Sequence, residues 1–342
     1  MIMGKIIRIG TRESQLAIWQ ATQVKELLGR HGFESELIFI KTEGDIDLVT
    51  PLYEIGVQGI FTRSLDAALL NNRIDVAVHS MKDVPVQLAY GIQQAAVLKR
   101  GSHKDIFVPH PDRADVDSIF GRGLIELEQI AITEAGSKTR ETVQTTYENS
   151  GDMVKAVIAT SSIRRIAQWS RRYRHHKIEN LRGNINTRLR KLKESNWHGA
   201  IFAAAGLERI NLRPENSIEL DWMLPAPAQG AIMVVCREDD NYAFESCQSF
   251  NDEETALCTK IERDFLSALL GGCSTPISAL AQVKNGEVHF KGNVVSPDGY
   301  DIAEGNAIYP LAIASDLGFI AARKILTSGG QAIIDKLGNA TK

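Results

Sequence analysis

The chain has 342 residues, enough for two or three domains with sizeable cores. Its 44% apolar and 24% charged residues exclude a disordered, collagen-like or coiled-coil chain, and apolar stretches such as Ala231 to Cys236 fall far short of the roughly 20 residues a membrane span needs. A net charge of −3 gives the chain as a whole no attraction for nucleic acid or membrane surfaces.

Taken in order, the first third alternates strands and helices. Lys5 to Gly10 reads as a strand. Ser14 to Leu28 carries Leu16, Ile18, Trp19, Val24, Leu27 and Leu28 at roughly helical spacing, stopped by Gly29 and Gly32. Glu36 to Lys41 is a second strand, Phe61 to Leu70 a second helix, and Ile74 to His79 an apolar strand. This alternation predicts a largely parallel sheet flanked by helices, with ligands beyond the carboxyl ends of its strands. The pattern restarts at Val154 to Ala159 (strand), Ser162 to Tyr173 (helix), Lys177 to Leu181 (strand), Ile185 to Lys193 (helix) and Ala200 to Ala204 (strand). Pro225, Pro227 and Gly230 then punctuate LPAPAQGA before a strong strand, which suits a crossing between domains. A helix over Glu253 to Leu270 leads to Gly271-Gly272-Cys273. The remainder shows a hairpin signal at Asn285-Gly286, a turn at Pro297-Asp298-Gly299 and a last helix near Ile313 to Leu326, which predicts a smaller α+β domain. Asp112 to Asp152 holds nine acidic and four basic residues with weak periodicity and reads as a surface elaboration of the second domain.

The opening MIMGKIIRIGTR has no signal-peptide core or cleavage site, so a cytoplasmic location is expected. The cysteines Cys236, Cys247, Cys258 and Cys273 form no CxxC pair and no zinc-finger spacing, so reduced thiols and no metal site are expected.

The charge is unevenly placed. Thr160 to Lys193 contains eleven Lys/Arg and one acidic residue, Glu179. Such a run is also what a solvated helix face looks like. Here, however, Arg164 and Arg165 follow Thr160-Ser161-Ser162 at a strand-to-helix junction, where hydroxyls and free N–H groups bind anions. Arg182 lies at a strand end and Arg188 on the next helix. Arginine suits carboxylates and phosphates held by two parallel bonds. Nucleic acid is a poorer fit, because the run offers only Trp169 and Tyr173 for stacking and the rest of the chain is acidic.

Two further turns follow strands in the first domain, Thr11-Arg12-Glu13-Ser14 and His79-Ser80-Met81-Lys82-Asp83-Val84-Pro85. Asp83 beside Lys82 reads either as a surface ion pair or as a cleft carboxylate that steadies a developing cation or moves a proton. His79 reads as a satisfied structural histidine. Cys273, after two glycines, reads either as an ordinary loop cysteine or as a nucleophile or attachment point.

The segments TRESQLAIWQ, KTEGD, GIFTRSLDAALL, DVAVHSMKDVP, ATSSIRR, LRGNINTRL, AAAGLERI, LPAPAQGA and GGCSTPIS occur in that order. Together they closely resemble the porphobilinogen deaminase (hydroxymethylbilane synthase) family, from about Ile6 to Ile277 and more loosely beyond. The resemblance implies a transferase of tetrapyrrole and heme biosynthesis. It condenses four porphobilinogen molecules head to tail, losing ammonia each time, on a covalently bound dipyrromethane primer, and releases hydroxymethylbilane. The family's attachment cysteine matches Cys273, through a thioether, and its catalytic aspartate matches Asp83. By the same similarity, Arg12, Ser14, Gln20, Arg182 and Arg188 would hold substrate. Lys82, Asp83, Thr160, Ser161, Ser162, Arg164, Arg165, Arg182 and Gln229 would hold the dipyrromethane, and Arg209 would line an exit path. The implied fold is α/β, with two periplasmic-binding-protein-like domains (1–98 with 230–250, and 99–229) and a small C-terminal α+β domain (251–342). A cytoplasmic monomer is implied. Two departures stand out: Glu54 and Gln58 in the loop Asp45 to Gly59, where relatives often carry lysines, and an acidic insertion near 121–154. The alternative reading is a two-domain binding protein for a carboxylated small molecule, which would need neither Cys273 nor Asp83.

Overall fold

A computed structural model describes residues 5–41, 62–113, 119–120, 155–269 and 275–340. The expectations placed on Asp45 to Gly59, on the insertion near 121–154 and on Gly271-Gly272-Cys273 lie outside the described residues.

The first sheet is built as the sequence pattern demands. Strand β1 (Ile7–Thr11) leads into helix α1 (Gln15–Arg30). The α1 N-cap is Ser14, whose hydroxyl accepts from Ala17 N at 3.4 Å. Ala17, Gln20, Ala21, Val24 and Leu28 recur every three or four residues and are the face that buries. Strand β2 (Ser35–Phe39), helix α2 (Arg63–Leu70) and strand β3 (Val76–Ser80) follow. Two strands complete the sheet, β4 (Ile92–Leu98) and, from far along the chain, β10 (Ile232–Arg237). The order is β2-β1-β3-β10-β4, with β10 antiparallel to both neighbours.

The second sheet repeats this plan. Its strands are β5 (Asp105–Pro109), β6 (Val157–Ala159), β7 (Lys177–Glu179), β8 (Gly199–Ala203) and β9 (Ile218–Glu219), in the order β7-β6-β8-β5-β9. Here β5, arriving from the first domain, is the antiparallel insert. Each sheet therefore receives one strand from across the molecule. Helices α3 (Ile163–Arg172), α4 (Ile185–Glu194) and α5 (Ala204–Arg209) accompany the second sheet. Its core includes the stacked rings of Phe107 and Trp169, 5.7 Å apart. Strands β4 and β5 escaped the sequence pattern, as did helix α6 (Asn241–Gln248), capped by Asp240. All five residues of β5 are buried, and so short a central strand shows no alternation.

The two crossings between the sheets lie side by side, with Gly101 N donating to Gly230 O at 3.0 Å. Gly230 has φ +88°, and a Cβ on it would stand 2.6 Å from Ser102 O. Gly230→Ala is expected to cost about 1–3 kcal/mol, read as a lower denaturation midpoint; an unchanged midpoint would show that the crossings separate freely.

Helix α7 (Glu253–Ala268) opens the small C-terminal domain. A meander of β11 (Ile277–Lys284), β12 (Glu287–Val295) and β13 (Ile302–Pro310) forms its sheet. Asn285 and Gly286 both have positive φ, 53° and 80°, as a two-residue hairpin turn requires. The helix expected near Ile313 to Leu326 is shorter and divided. A 3₁₀ turn at Leu311–Ile313 precedes α8 (Leu317–Ile325), and Gly329, at φ +100°, redirects the chain into α9 (Gln331–Ala340). No helix among the described residues is long and apolar enough to cross a membrane.

Candidate active site

The site begins where strands end. After β3 the chain makes a 3₁₀ turn, Met81–Asp83. Met81 is buried and anchors the turn, leaving Lys82 and Asp83 half-buried. Gln20, buried on α1, donates from Nε2 to Ser80 Oγ at 2.8 Å. It thus stands behind the turn, inside the α1–β3 contact. Arg12 and Ser14 sit between β1 and α1, both partly exposed.

The second sheet presents a matching set. Beyond β6 come Thr160, Ser161 and Ser162. The Ser161 hydroxyl bonds both the N–H (2.9 Å) and the carbonyl (2.6 Å) of Leu181, which ties the β6 and β7 loops together. Thr160 Oγ1 accepts from Ser162 N at 3.3 Å. Ser162 caps α3, and its side chain makes no capping bond. Arg164 and Arg165 occupy the first turn of α3 and are buried. Cations are disfavoured there both by burial and by the positive end of the helix, so they need a counter-charge. Asp105, fully buried at the start of β5, supplies it. Arg164 Nη1 lies 2.7 Å from one of its oxygens, and Arg165 reaches the other from Nε (3.0 Å) and Nη2 (2.8 Å). Gln229 extends the network. Its Nε2 donates to Asp105 (3.0 Å) and to His103 O (2.8 Å), and its Oε1 accepts from Lys82 Nζ at 3.4 Å. Lys82 of the first domain is thereby joined through the crossing to the arginines of the second.

Around this junction Lys82, Arg164, Arg165, Arg182 and Arg188 face two carboxylates, Asp83 and Asp105. Burial pushes Lys82 down to about 8, despite Asp83 beside it. Burial, with Arg165 next, brings Arg188 to about 10, and burial also lowers Arg164. Burial acts to raise Asp105, but the charges of Arg164 and Arg165 override it and hold the carboxyl well below its usual range. Arg164 Nε is buried without a hydrogen-bond partner among the described residues. A cluster of half-desolvated cations in excess over carboxylates is a site that gains from a polyanion. Dipyrromethane, whose every ring carries an acetate and a propionate, fits that requirement.

Two expected residues, Gln20 and Arg209, stand apart from this cluster. Gln20 supports Ser80 as described. Arg209, on α5, donates to Gly230 O at 2.6 Å and lies 5.6 Å over the Trp19 ring, against the crossing. His79 is buried, and burial, aided by Arg12, lowers it to about 4. It is thus a neutral histidine, and its Nε2 has no hydrogen-bond partner among the described residues. No cluster of three His, Cys, Asp or Glu able to hold a metal ion occurs among the described residues. Sequence reasoning missed Asp105, which nothing marks except its place beside a buried apolar run. It also missed the buried pair Arg100–Glu262 (2.6 Å) and Arg263.

A family model described as "Porphobilinogen deaminase, dipyromethane cofactor binding domain" matches residues 7–245, and one for the porphobilinogen deaminase C-terminal domain matches 256–327. A curated relative from Oryza sativa subsp. japonica, "Porphobilinogen deaminase, chloroplastic", is 37% identical over 343 aligned positions, covering 97% of this chain and 86% of the relative. Among solved structures, the Bordetella pertussis BvgS periplasmic VFT2 domain aligns at 12% identity and TM-score 0.38, over 73% of this chain and 90% of that one. A Burkholderia cenocepacia nutrient binding protein bound to methionine aligns at 13% and 0.38, over 73% and 93%.

Proposed function

This chain belongs to the porphobilinogen deaminase family, and on that premise we propose how its own residues carry the family's reaction. The enzyme is a transferase of porphyrin and heme biosynthesis that joins four porphobilinogen molecules head to tail and releases hydroxymethylbilane. Its cofactor is dipyrromethane. When bound, that group supplies the electron-rich pyrrole carbon to which the first substrate is joined.

Cys273 is the thioether attachment point. Lys82, Thr160, Ser161, Ser162, Arg164, Arg165 and Gln229 hold the primer's carboxylates and orient its rings, with Arg182 at the border of the primer and substrate positions. Arg12, Ser14 and Arg188 hold the incoming porphobilinogen, Gln20 acts through Ser80, and Arg209 flanks the exit. Asp83 is the catalytic residue. Loss of ammonia and the attack that follows place positive charge on pyrrole nitrogens, and a carboxylate within hydrogen-bond reach stabilises that charge and accepts the proton. The observation that carries this reading is the meeting of Asp83 with an excess of desolvated cations drawn from both sheets. A plain carboxylate-binding protein would have no use for that carboxylate.

The domains divide as 1–98 with 230–250, 99–229 and 251–342. The pairing of β10 with β3 and β4 supports the first of these. The protein is a monomer of the cytoplasm. Three buried free cysteines, whose thiols burial pushes up to about 11 or 12, suit a reducing compartment.

Intact mass tests the attachment. The native chain is expected to be heavier than its sequence by one dipyrromethane, or to become so on incubation with porphobilinogen, and Cys273→Ser is expected to stay bare. A native chain that never gains mass would leave only a binding protein; a loaded Cys273→Ser chain would move the attachment elsewhere.

A further inference from the structure

Helix α7 is tied to the catalytic turn by the side chain of Arg263. Arg263 is 8% exposed and reaches out of the C-terminal domain into the loop that follows β3. Its Nη1 donates to Val84 O at 3.0 Å and approaches Met81 O at 3.5 Å, and its Nη2 donates to Pro85 O at 2.6 Å and Val86 O at 2.9 Å. These carbonyls lie on both sides of Asp83 in the chain. The planar guanidinium, with its fixed fork of donors, is the one side chain able to span such a set.

The contact is more than a local brace. Val86 packs against the core of the C-terminal domain, and Ala256 of α7 packs against the core of the first. The interface runs along α7, and Glu262 and Arg263 make polar contacts across it. The same helix ends at Ala268, five residues before Cys273. One rigid element thus fixes the turn that bears the aspartate and the origin of the segment that bears the attachment cysteine. Met81 and Val84 are buried on either side of the carboxylate, and Arg263 binds the carbonyls of both, so it shares in setting the direction of the turn; displacement by 1 Å is enough to cost about 10²-fold in rate.

We propose that Arg263 is a positioning residue for Asp83: it clamps the 81–86 loop to α7 and so fixes the direction of the carboxylate. The proposal rests on Asp83 being the catalytic carboxylate.

A double-mutant cycle on the holoenzyme tests it, with kcat, KM for porphobilinogen and primer mass measured for Arg263→Met, Asp83→Asn and the double variant. Arg263→Met is expected to lower kcat about 10- to 100-fold, with KM unchanged and the primer attached, because the carboxylate-binding arginines lie elsewhere. Arg263→Lys, which keeps the charge but bridges fewer carbonyls, is expected to recover part of the loss. In the Asp83→Asn background the Arg263→Met change is expected to cost little more, as coupled residues do. The same factor lost in both backgrounds, or no loss in the single variant, overturns the proposal. Wild-type turnover by Asp83→Asn alone would instead overturn the role of Asp83. If Arg263→Met does not accumulate folded, Arg263→Lys carries the same cycle.

Discussion

Asp83→Asn is expected to lower kcat on the order of 10²- to 10³-fold, the loss typical when one preorganised charge-stabilising group is removed, while the primer stays attached and KM changes little. The substitution keeps shape and volume and removes only the negative charge. That charge matters more here than at an ordinary surface, because its neighbours include Lys82 and Arg188. On the proposed reading, substrate and primer carboxylates pair with the arginines at the rims of the rings. A cation growing on a ring nitrogen then needs a counter-charge of its own. Asp83 is the carboxylate the 3₁₀ turn places among those cations, and a neutral amide can neither offset the new charge nor take the proton. The measurement is steady-state hydroxymethylbilane formation alongside intact mass. Turnover within a few-fold of wild type would sink the role; loss of the primer would show that Asp83 mainly retains it.

Much of the local fold was legible in the sequence. Strand ends, helix caps and turn residues lie within a few positions of one another, so Ser14, Ser162, Asn285 and Gly286 could be read directly. The arginine run was legible only as a group. The fold gives its members different tasks. Arg164 and Arg165 turn inward to Asp105. Arg171 and Arg174 donate to the Gly299 carbonyl of the C-terminal domain, and Arg174 lies 3.7 Å over the Tyr300 ring. Arg190 pairs on the surface with Glu194 at 3.1 Å, a contact of little worth to stability. Which face of α3 or α4 a residue takes decides among these, and a bare count of charges cannot. The partners that hold the site together were hidden for another reason. Asp105 lies 60 positions from Arg165, and Glu262 lies 162 positions from Arg100. Nothing local in the sequence announces such a pairing.

That second pair is where stability is expected to be most exposed to mutation. Glu262 is fully buried on α7, and each of its oxygens serves two donors. Oε1 accepts from Arg100 Nη1 (2.6 Å) and from Ala281 N (2.7 Å), and Oε2 accepts from Arg100 Nη2 (3.0 Å) and from Ala228 N (2.6 Å). Three separate segments meet at this carboxylate: the outward crossing at Arg100, the return crossing at Ala228, and the edge strand β11. Ala228 is a non-glycine at φ +61°, a conformation that persists only when its surroundings enforce it. Ala281 stands on the open edge of the meander, where an unpaired N–H has no strand to bond. Glu262→Ala removes the counter-charge of Arg100 and strands both backbone donors, so a loss of about 3–5 kcal/mol is expected, as for other broken buried pairs. Glu262→Gln is expected to fall between, since it keeps one acceptor but turns amide hydrogens toward the guanidinium. Thermal unfolding of the loaded enzyme is the measurement, with a midpoint lowered by about 5–10 °C for the alanine variant. A midpoint within a degree of wild type would mean that the crossings and the C-terminal domain are held by their apolar contacts alone, and that Glu262 is not the joint between them.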